Sequence, residues 1–172
     1  VICVAAGNAS LEVGVPAPED NWWEGYSKGD YCYPASFIGI DNMIVVASAA
    51  SDMNRSYFSN YSSQYVDITA PGSSILSTTP NNNYEYYSGT SMATPHVAGA
   101  AALLMSINPD ATAQQLKEAI LNGANTNYCV DDGTSVHGFL DLEGAINYLA
   151  ESGDLDPTTP VITTTALPKA TD

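Results

Sequence analysis

A chain of 172 residues with 45% hydrophobic side chains is long enough to bury one core, and that content excludes a disordered chain. Its 4 Lys plus Arg stand against 19 Asp plus Glu, a formal charge of −15, so a phosphate backbone would be repelled and nucleic acid is excluded as a partner. The longest apolar run, residues 96–107, falls short of the roughly 20 residues that cross a bilayer and is rich in Ala and Gly, so it reads as a buried helix and not as a transmembrane segment.

Residues 1–6 form a continuous apolar run with β-branched members that ends at Gly7-Asn8, the pattern of a parallel strand buried on both faces. Residues 9–33 carry Pro16, Pro18, Gly25 and Gly29 without periodicity and are expected as a long surface loop. A second buried strand is expected at 43–49, with shorter ones at 66–68 and 75–77 on either side of a turn at Ala70-Pro71-Gly72. The "NNNYEYYS" that follows reads as a polar loop. From Ser91 the spacing changes: Val97, Leu103, Leu104 and Ile107 are threaded with small residues as far as Asn108-Pro109, which predicts a helix. Thr112 and Gln115 have capping-box spacing at the head of an amphipathic helix closed by Asn122-Gly123. Asp141 is the expected N-cap of a third helix carrying Leu142, Ala145, Ile146 and Leu149. Strands and helices in this order predict an α/β domain with a mostly parallel sheet over residues 1–150. Residues 151–172 shift to a Thr/Pro-rich composition that buries no core, and are expected as a linker or tail.

Cys3, Cys32 and Cys129 lack metal-ligand spacing and are compatible with one disulfide plus one thiol or with three reduced thiols. Asn8-Ala9-Ser10, Asn54-Arg55-Ser56 and Asn60-Tyr61-Ser62 have the form of N-glycosylation acceptors. The chain opens inside a strand, with neither Met nor a leader, and is expected to be a fragment of a longer protein.

Ser91 is the candidate nucleophile. At a helix start it feels the positive end of the helix dipole, and Gly89 and Ala93 leave room for a carbonyl to approach; the competing reading is an ordinary serine N-cap, with Pro95 then inside the first turn. His96 cannot be its base, because five residues at about 100° each place it roughly 140° around the helix. His137, with Asp131 or Asp132, would complete the order Ser, Asp, His of α/β-hydrolases, but the segment 89–93 lacks the second glycine of the G-x-S-x-G elbow and no buried strand precedes it.

"GTSMATPHVAGAAALL" (89–104) resembles the nucleophile segment of the subtilisin-like serine peptidases, in which the serine begins the long central helix and the neighbouring histidine is structural. "VICVAAGN" (1–8) is similar to the strand and turn whose final asparagine supplies the oxyanion hole in that family. Residues 33–49, 58–78 and 137–149 resemble the strand region that follows, the segment leading to the A-P-G turn, and the closing helix. The resemblance runs in order over residues 1–149. It implies a three-layer α/β fold, a mostly parallel sheet with flanking helices, incomplete because the N-terminal half of the domain is absent. It further implies a serine endopeptidase in which Ser91 attacks, Asn8 and the Ser91 backbone N–H stabilise the oxyanion, and Ala5, Ala6 and Gly7 line one wall of the pocket for the side chain preceding the cut.

The family carries its triad in the order Asp, His, Ser, which puts both activating residues upstream of Asn8. Asp41, Asp52 and Asp67 lie downstream, in segments that match non-catalytic parts, and neither histidine stands in an H-G-T-H-like context. Two main explanations follow. The chain is the C-terminal catalytic part of an extracellular or cell-surface protease, acting on a protein or peptide substrate and needing its upstream half; or it is a remnant that binds peptides without cutting. An α/β-hydrolase esterase is the third. The serine chemistry requires no cofactor. Structural calcium is common in the family, but no acidic loop here has an interpretable ligand spacing, so no metal is assigned. Alone, the 172 residues are expected to be inactive and, with the sheet cut through its middle, to expose a strand edge and apolar surface.

Overall fold

The computed structural model describes residues 1–20 and 27–152. Residues 21–26 of the long loop and 153–172 of the Thr/Pro-rich tail lie outside the described residues. Three strands, β1 (Ile2–Ala5), β2 (Met43–Ala49) and β3 (Ile68–Pro71), pair in parallel in the order β1-β2-β3, with Val4 opposite Val45 and Val46 opposite Ile68. β2 has the bounds expected from its apolar run, and all of it is buried because it is the central strand with both faces covered.

Alternation along β2 separates the two cores. Ile44 and Val46 join Ile68 and Ala70 against the helices α1 (Thr90–Ile107), α2 (Ala113–Asn122) and α3 (Leu142–Glu151). Val45 and Ala47 join Val4, Ala6 and the loop residues Val13, Cys32 and Ala35 on the other face. The fold is thus α/β on a parallel sheet, as expected. Among the described residues the helices share one face and loop segments cover the other.

β3 begins two residues later than expected and runs through Ala70 and Pro71, which the sequence assigns to a turn. A proline is tolerated there because β3 is an edge strand of this sheet and Pro71 ends it. β4 (Ile75–Thr79) and β5 (Asn83–Tyr87) form a separate antiparallel hairpin, reversed at Asn81 and Asn82, both of which adopt positive φ. β5 is the element that the sequence misreads as a polar loop: all five of its residues are exposed, so it carries no apolar alternation.

α1 corrects two expectations. Its N-cap is Gly89 and its first residue Thr90, so Ser91 is the second helical residue and not the cap. Pro95 is therefore the sixth, and its missing N–H deprives the Ser91 carbonyl of the usual helical donor. The helix is also not buried all round. Thr90, Ala93, Val97, Ala100 and Leu104 form a buried stripe, whereas Ser91, Pro95, Ala98, Gly99, Ala102 and Met105 are exposed. Between that open side and β1 runs a groove lined by Cys3, Ala5, Ser91, Thr94, Pro95 and Ala98. The outer edge of β1 is unpaired among the described residues. No helix among them is long and apolar enough to cross a membrane.

Candidate active site

Parallel strands deliver their C-terminal ends to one edge of a sheet, and here that edge gathers the turn after β1, the turn after β3 and the start of α1. Gly72 is the hinge of this arrangement. Its N–H donates to the Ala49 carbonyl (3.0 Å) at the end of β2, and its carbonyl accepts from the Gly89 N–H (2.8 Å). A Cβ on Gly72 would collide with Ser48 Oγ and stand 2.7 Å from the Gly89 carbonyl oxygen, so only glycine lets the two turns approach this closely.

Thr90, fully buried, then joins the helix start to the β1 turn. Its N–H donates to Asn8 Oδ1 (2.8 Å), its Oγ1–H donates to the same oxygen (3.0 Å), and its Oγ1 accepts from the Gly7 N–H (3.1 Å). Asn8 therefore caps α1 from 82 positions away, satisfying one of the donors that every helix leaves open at its N-terminus. The Thr90 N–H can only donate, which fixes the orientation of the amide: Oδ1 faces Thr90, and Nδ2 keeps no hydrogen-bond partner among the described residues. The Ser91 N–H and Oγ likewise have none, and Ser91 is exposed. An exposed hydroxyl and two uncommitted N–H donors thus stand together at a helix N-terminus, the requirement for attack on a carbonyl with stabilisation of the resulting oxyanion.

Sequence reasoning missed Thr90. Its only signal was its place as the small polar residue directly before the candidate serine.

The other residues singled out in the sequence fall as follows. Ala5 and Gly7 are half-buried, and Ala5 lines the groove beside Ser91. Ala6 is fully buried and packs into the core on the loop-covered face, so its methyl lines no pocket wall. His96 turns its ring back along its own helix, with Nδ1 2.9 Å from the Met92 carbonyl. Since a carbonyl only accepts, Nδ1 carries the proton in that bond. His137 donates its backbone N–H to the Asp67 carbonyl (3.0 Å), ahead of β3, whereas Gly72 follows the other end of that strand. Five residues at about 3.3 Å each put roughly 16 Å between those ends, so His137 and the neighbouring Asp131 and Asp132 form no triad with Ser91.

Among the described residues no disulfide links Cys3, Cys32 and Cys129 to one another. Burial raises the Cys3 thiol and pushes Cys129 up to about 11, so neither is a thiolate at neutral pH able to compete as a nucleophile. Asn60, one of the three glycosylation-like asparagines, is fully buried, and both its amide oxygen and its amide nitrogen bond to backbone inside the fold. Among the described residues no group of three or more His, Cys, Asp or Glu side chains is placed to hold a metal ion.

Residues 1–145 match the model of the subtilase family. Thermitase of Thermoactinomyces vulgaris is 44% identical over 125 residues, covering 73% of this chain and 37% of the relative. Subtilisin-like protease 1 of Plasmodium vivax is 40% identical over 116 residues, covering 65% of this chain and 18% of the relative. Among solved structures, a cold adapted subtilisin-like serine proteinase superimposes with a TM-score of 0.61 at 35% identity, covering 79% of this chain and 42% of the other. The prenylagaramide maturation protease PagA gives 0.66 at 30% identity, covering 87% and 50%. The chain thus spans half or less of the length of each of these relatives.

Proposed function

The chain belongs to the subtilase family, and from that membership we propose that it is the nucleophile-bearing part of a serine endopeptidase, with Ser91 as nucleophile and Asn8 as the side-chain donor of the oxyanion hole. The observation that carries this reading is the bond from the Thr90 N–H to Asn8 Oδ1 (2.8 Å). It commits the oxygen of the amide and leaves Nδ2 beside the helix that presents Ser91.

In this mechanism Ser91 Oγ adds to the carbonyl carbon of a peptide bond while its proton passes to a general base. The negative charge that forms on the carbonyl oxygen is met by Asn8 Nδ2–H and the Ser91 N–H. Collapse of the tetrahedral adduct breaks the C–N bond, the base returns the proton to the leaving amine, and water then hydrolyses the Ser91 ester. The base and the carboxylate that orients it are assigned to sequence upstream of Val1. His96 has its Nδ1 on its own helix, and His137 lies at the other end of β3. The unpaired edge of β1 and the open side of α1 are where that upstream segment would pack, completing the sheet and one wall of the cleft. Ala5 and Gly7 form the opposite wall, where small residues admit a large apolar side chain before the cut. Protein or peptide substrates and an extracellular or cell-surface location complete the reading.

The test uses the full-length protein. A fluorophosphonate probe should modify Ser91, and Ser91→Ala should lower kcat on casein about 10⁶-fold, the loss known for the nucleophile of subtilisin itself. A folded wild-type protein that neither cleaves casein nor takes up the probe, yet binds peptides in the cleft, would replace the enzyme with the binding-only remnant.

A further inference from the structure

Asn60 lies far from Ser91 in sequence and touches neither the nucleophile nor any substrate position, yet it holds the turn that carries Asn8. Its side chain fills the inside of that turn. Nδ2 donates to the Ala6 carbonyl (2.9 Å), and Oδ1 accepts from the N–H groups of Ala9 (3.0 Å) and Leu11 (2.9 Å). Its backbone N–H donates to the Gly7 carbonyl (2.9 Å). Both peptide neighbours of Asn8, Gly7 and Ala9, are thus tied to this one residue. On the other side, among the described residues, the Asn8 side chain is held by Thr90 alone.

The surroundings leave the turn little freedom. Asn60 is fully buried, and the Ala6 carbonyl also accepts from Cys32 Sγ (3.1 Å). Gly7 has positive φ (102°), and a Cβ there would run into Asn60 Nδ2 and stand 3.0 Å from Cys32 Sγ. The segment around Asn60 adds three more ties, Ser10 N–H to Phe58 carbonyl, Tyr61 N–H to Leu11 carbonyl and Val13 N–H to Tyr61 carbonyl. A buried amide with three bonds to one turn is costly to disturb, since each group left without its partner pays its desolvation.

We infer that Asn60 is a positioning residue for the oxyanion donor, setting the backbone of residues 7–9 so that Asn8 Nδ2 meets the developing charge. The inference rests on the role proposed above for Asn8. Misplacing a catalytic group by about 1 Å costs on the order of 10²-fold in rate. The effect belongs in kcat, because the oxyanion exists only beyond the ground state.

The experiment is a double-mutant cycle in the full-length protease, with kcat and KM measured for the wild type, Asn60→Ala, Asn8→Ala and the double variant. Asn60→Asp serves as a second, isosteric probe: it keeps the acceptor for Ala9 and Leu11 and loses the donor to the Ala6 carbonyl until it is protonated. The expected result is a kcat loss of about 10- to 100-fold for either Asn60 substitution with KM within about twofold, and little further loss once Asn8 is Ala. The Asn60→Asp deficit should also shrink relative to wild type as pH is lowered, when the carboxyl regains an O–H to donate. An equal fold loss in both backgrounds would mean that Asn60 serves only stability and would overturn the inference, as would an unchanged kcat in a folded Asn60→Asp protein. If Asn8→Ala itself leaves kcat unchanged, the oxyanion role falls, and the positioning role with it. A loss with Asn8→Ala and none with Asn60 removes the positioning role alone.

Discussion

The two ends of β3 each hold a cluster of polar groups, and the clusters differ in how their hydrogen bonds are committed. Ahead of the strand sit the charged side chains. Asp67 accepts the Val45 N–H on Oδ2 (2.7 Å), and Lys117, whose charge reaches Asp67, donates Nζ to the Met43 carbonyl (2.7 Å). His137 closes the group through its backbone bond to Asp67. An Asp, a His and a Lys in one place suggest catalysis, but here their bonds fasten the start of β2. Beyond the other end of the strand the groups that meet are neutral ones. Asn8, Thr90, Gly72 and Gly89 hold one another through bonds that span long stretches of chain, and the groups left over are an exposed hydroxyl and two N–H donors. In the mechanism proposed above, it is the uncommitted donors beside Ser91 that mark the reactive end, and not the charges around Asp67.

The sharpest way to break this contrast is at Asn8, in the full-length protein. Asn8→Ala removes both the proposed oxyanion donor and the cap of α1. kcat should fall about 10²- to 10³-fold, the size known from subtilisin itself, and stability by about 1 kcal/mol. Asn8→Asp separates the two losses. It keeps an oxygen for the Thr90 N–H, so thermal unfolding should be close to wild type while kcat stays at least as low. If Asn8→Asp retains full activity, the free Nδ2 has no chemical role.

Gly72→Ala tests the same end without touching a reacting group. The added Cβ forces Ser48 and the Gly89 carbonyl apart, and Gly89 sits two residues before Ser91. A kcat loss of up to about 10²-fold is expected from the shifted helix start. Asp67→Asn, at the opposite end, should leave kcat within about twofold. Equal effects of the two substitutions in steady-state assays would erase the distinction between the ends.

The caps of the three helices show how much of this is legible in the sequence. Thr112 and Gln115 stand three residues apart and form the capping box that this spacing predicts, with bonds of 3.2 Å and 2.8 Å. Asp141 caps α3 as expected, accepting from the Gly144 N–H (3.0 Å). Both are local, so a short window of sequence contains them. α1 has no local side-chain cap, and its partner Asn8 lies 82 residues earlier, where no periodicity or spacing rule connects the two. A local reading therefore assigns the cap to Ser91 itself, although in the fold Ser91 is spared that task and keeps its hydroxyl free. β2 is legible to the residue because burial on both faces leaves an unbroken apolar run, and β5 is not because no face of it is buried. Resemblance to the subtilisin-like peptidases brings Ser91 and Asn8 forward; Thr90, Gly72 and Asn60 emerge only when the chain is folded, since their roles consist of contacts between distant turns.

The smallest expected effect is at the charged end, and it appears in stability. Burial raises the Asp67 carboxyl above the ordinary carboxylate range, offset in part by the Val45 N–H bond and by the charges of Lys117 and His137. A raised folded-state pKa means that the native protein holds this proton more tightly than the unfolded chain does. Between the unfolded and folded values the native state binds more protons, so the contribution of Asp67 to stability declines as pH rises through that window and stays at its lower level above it. An amide in place of this carboxyl would not titrate, and its oxygen can still accept from Val45. The stability of Asp67→Asn relative to wild type should therefore increase as pH rises through the window and level off above it, in denaturant titrations of the full-length protein at a series of pH values. A difference that does not vary with pH would show that Val45, Lys117 and His137 balance burial, and one that moves the other way that they outweigh it, so that this end of β3 favours the ionised carboxylate.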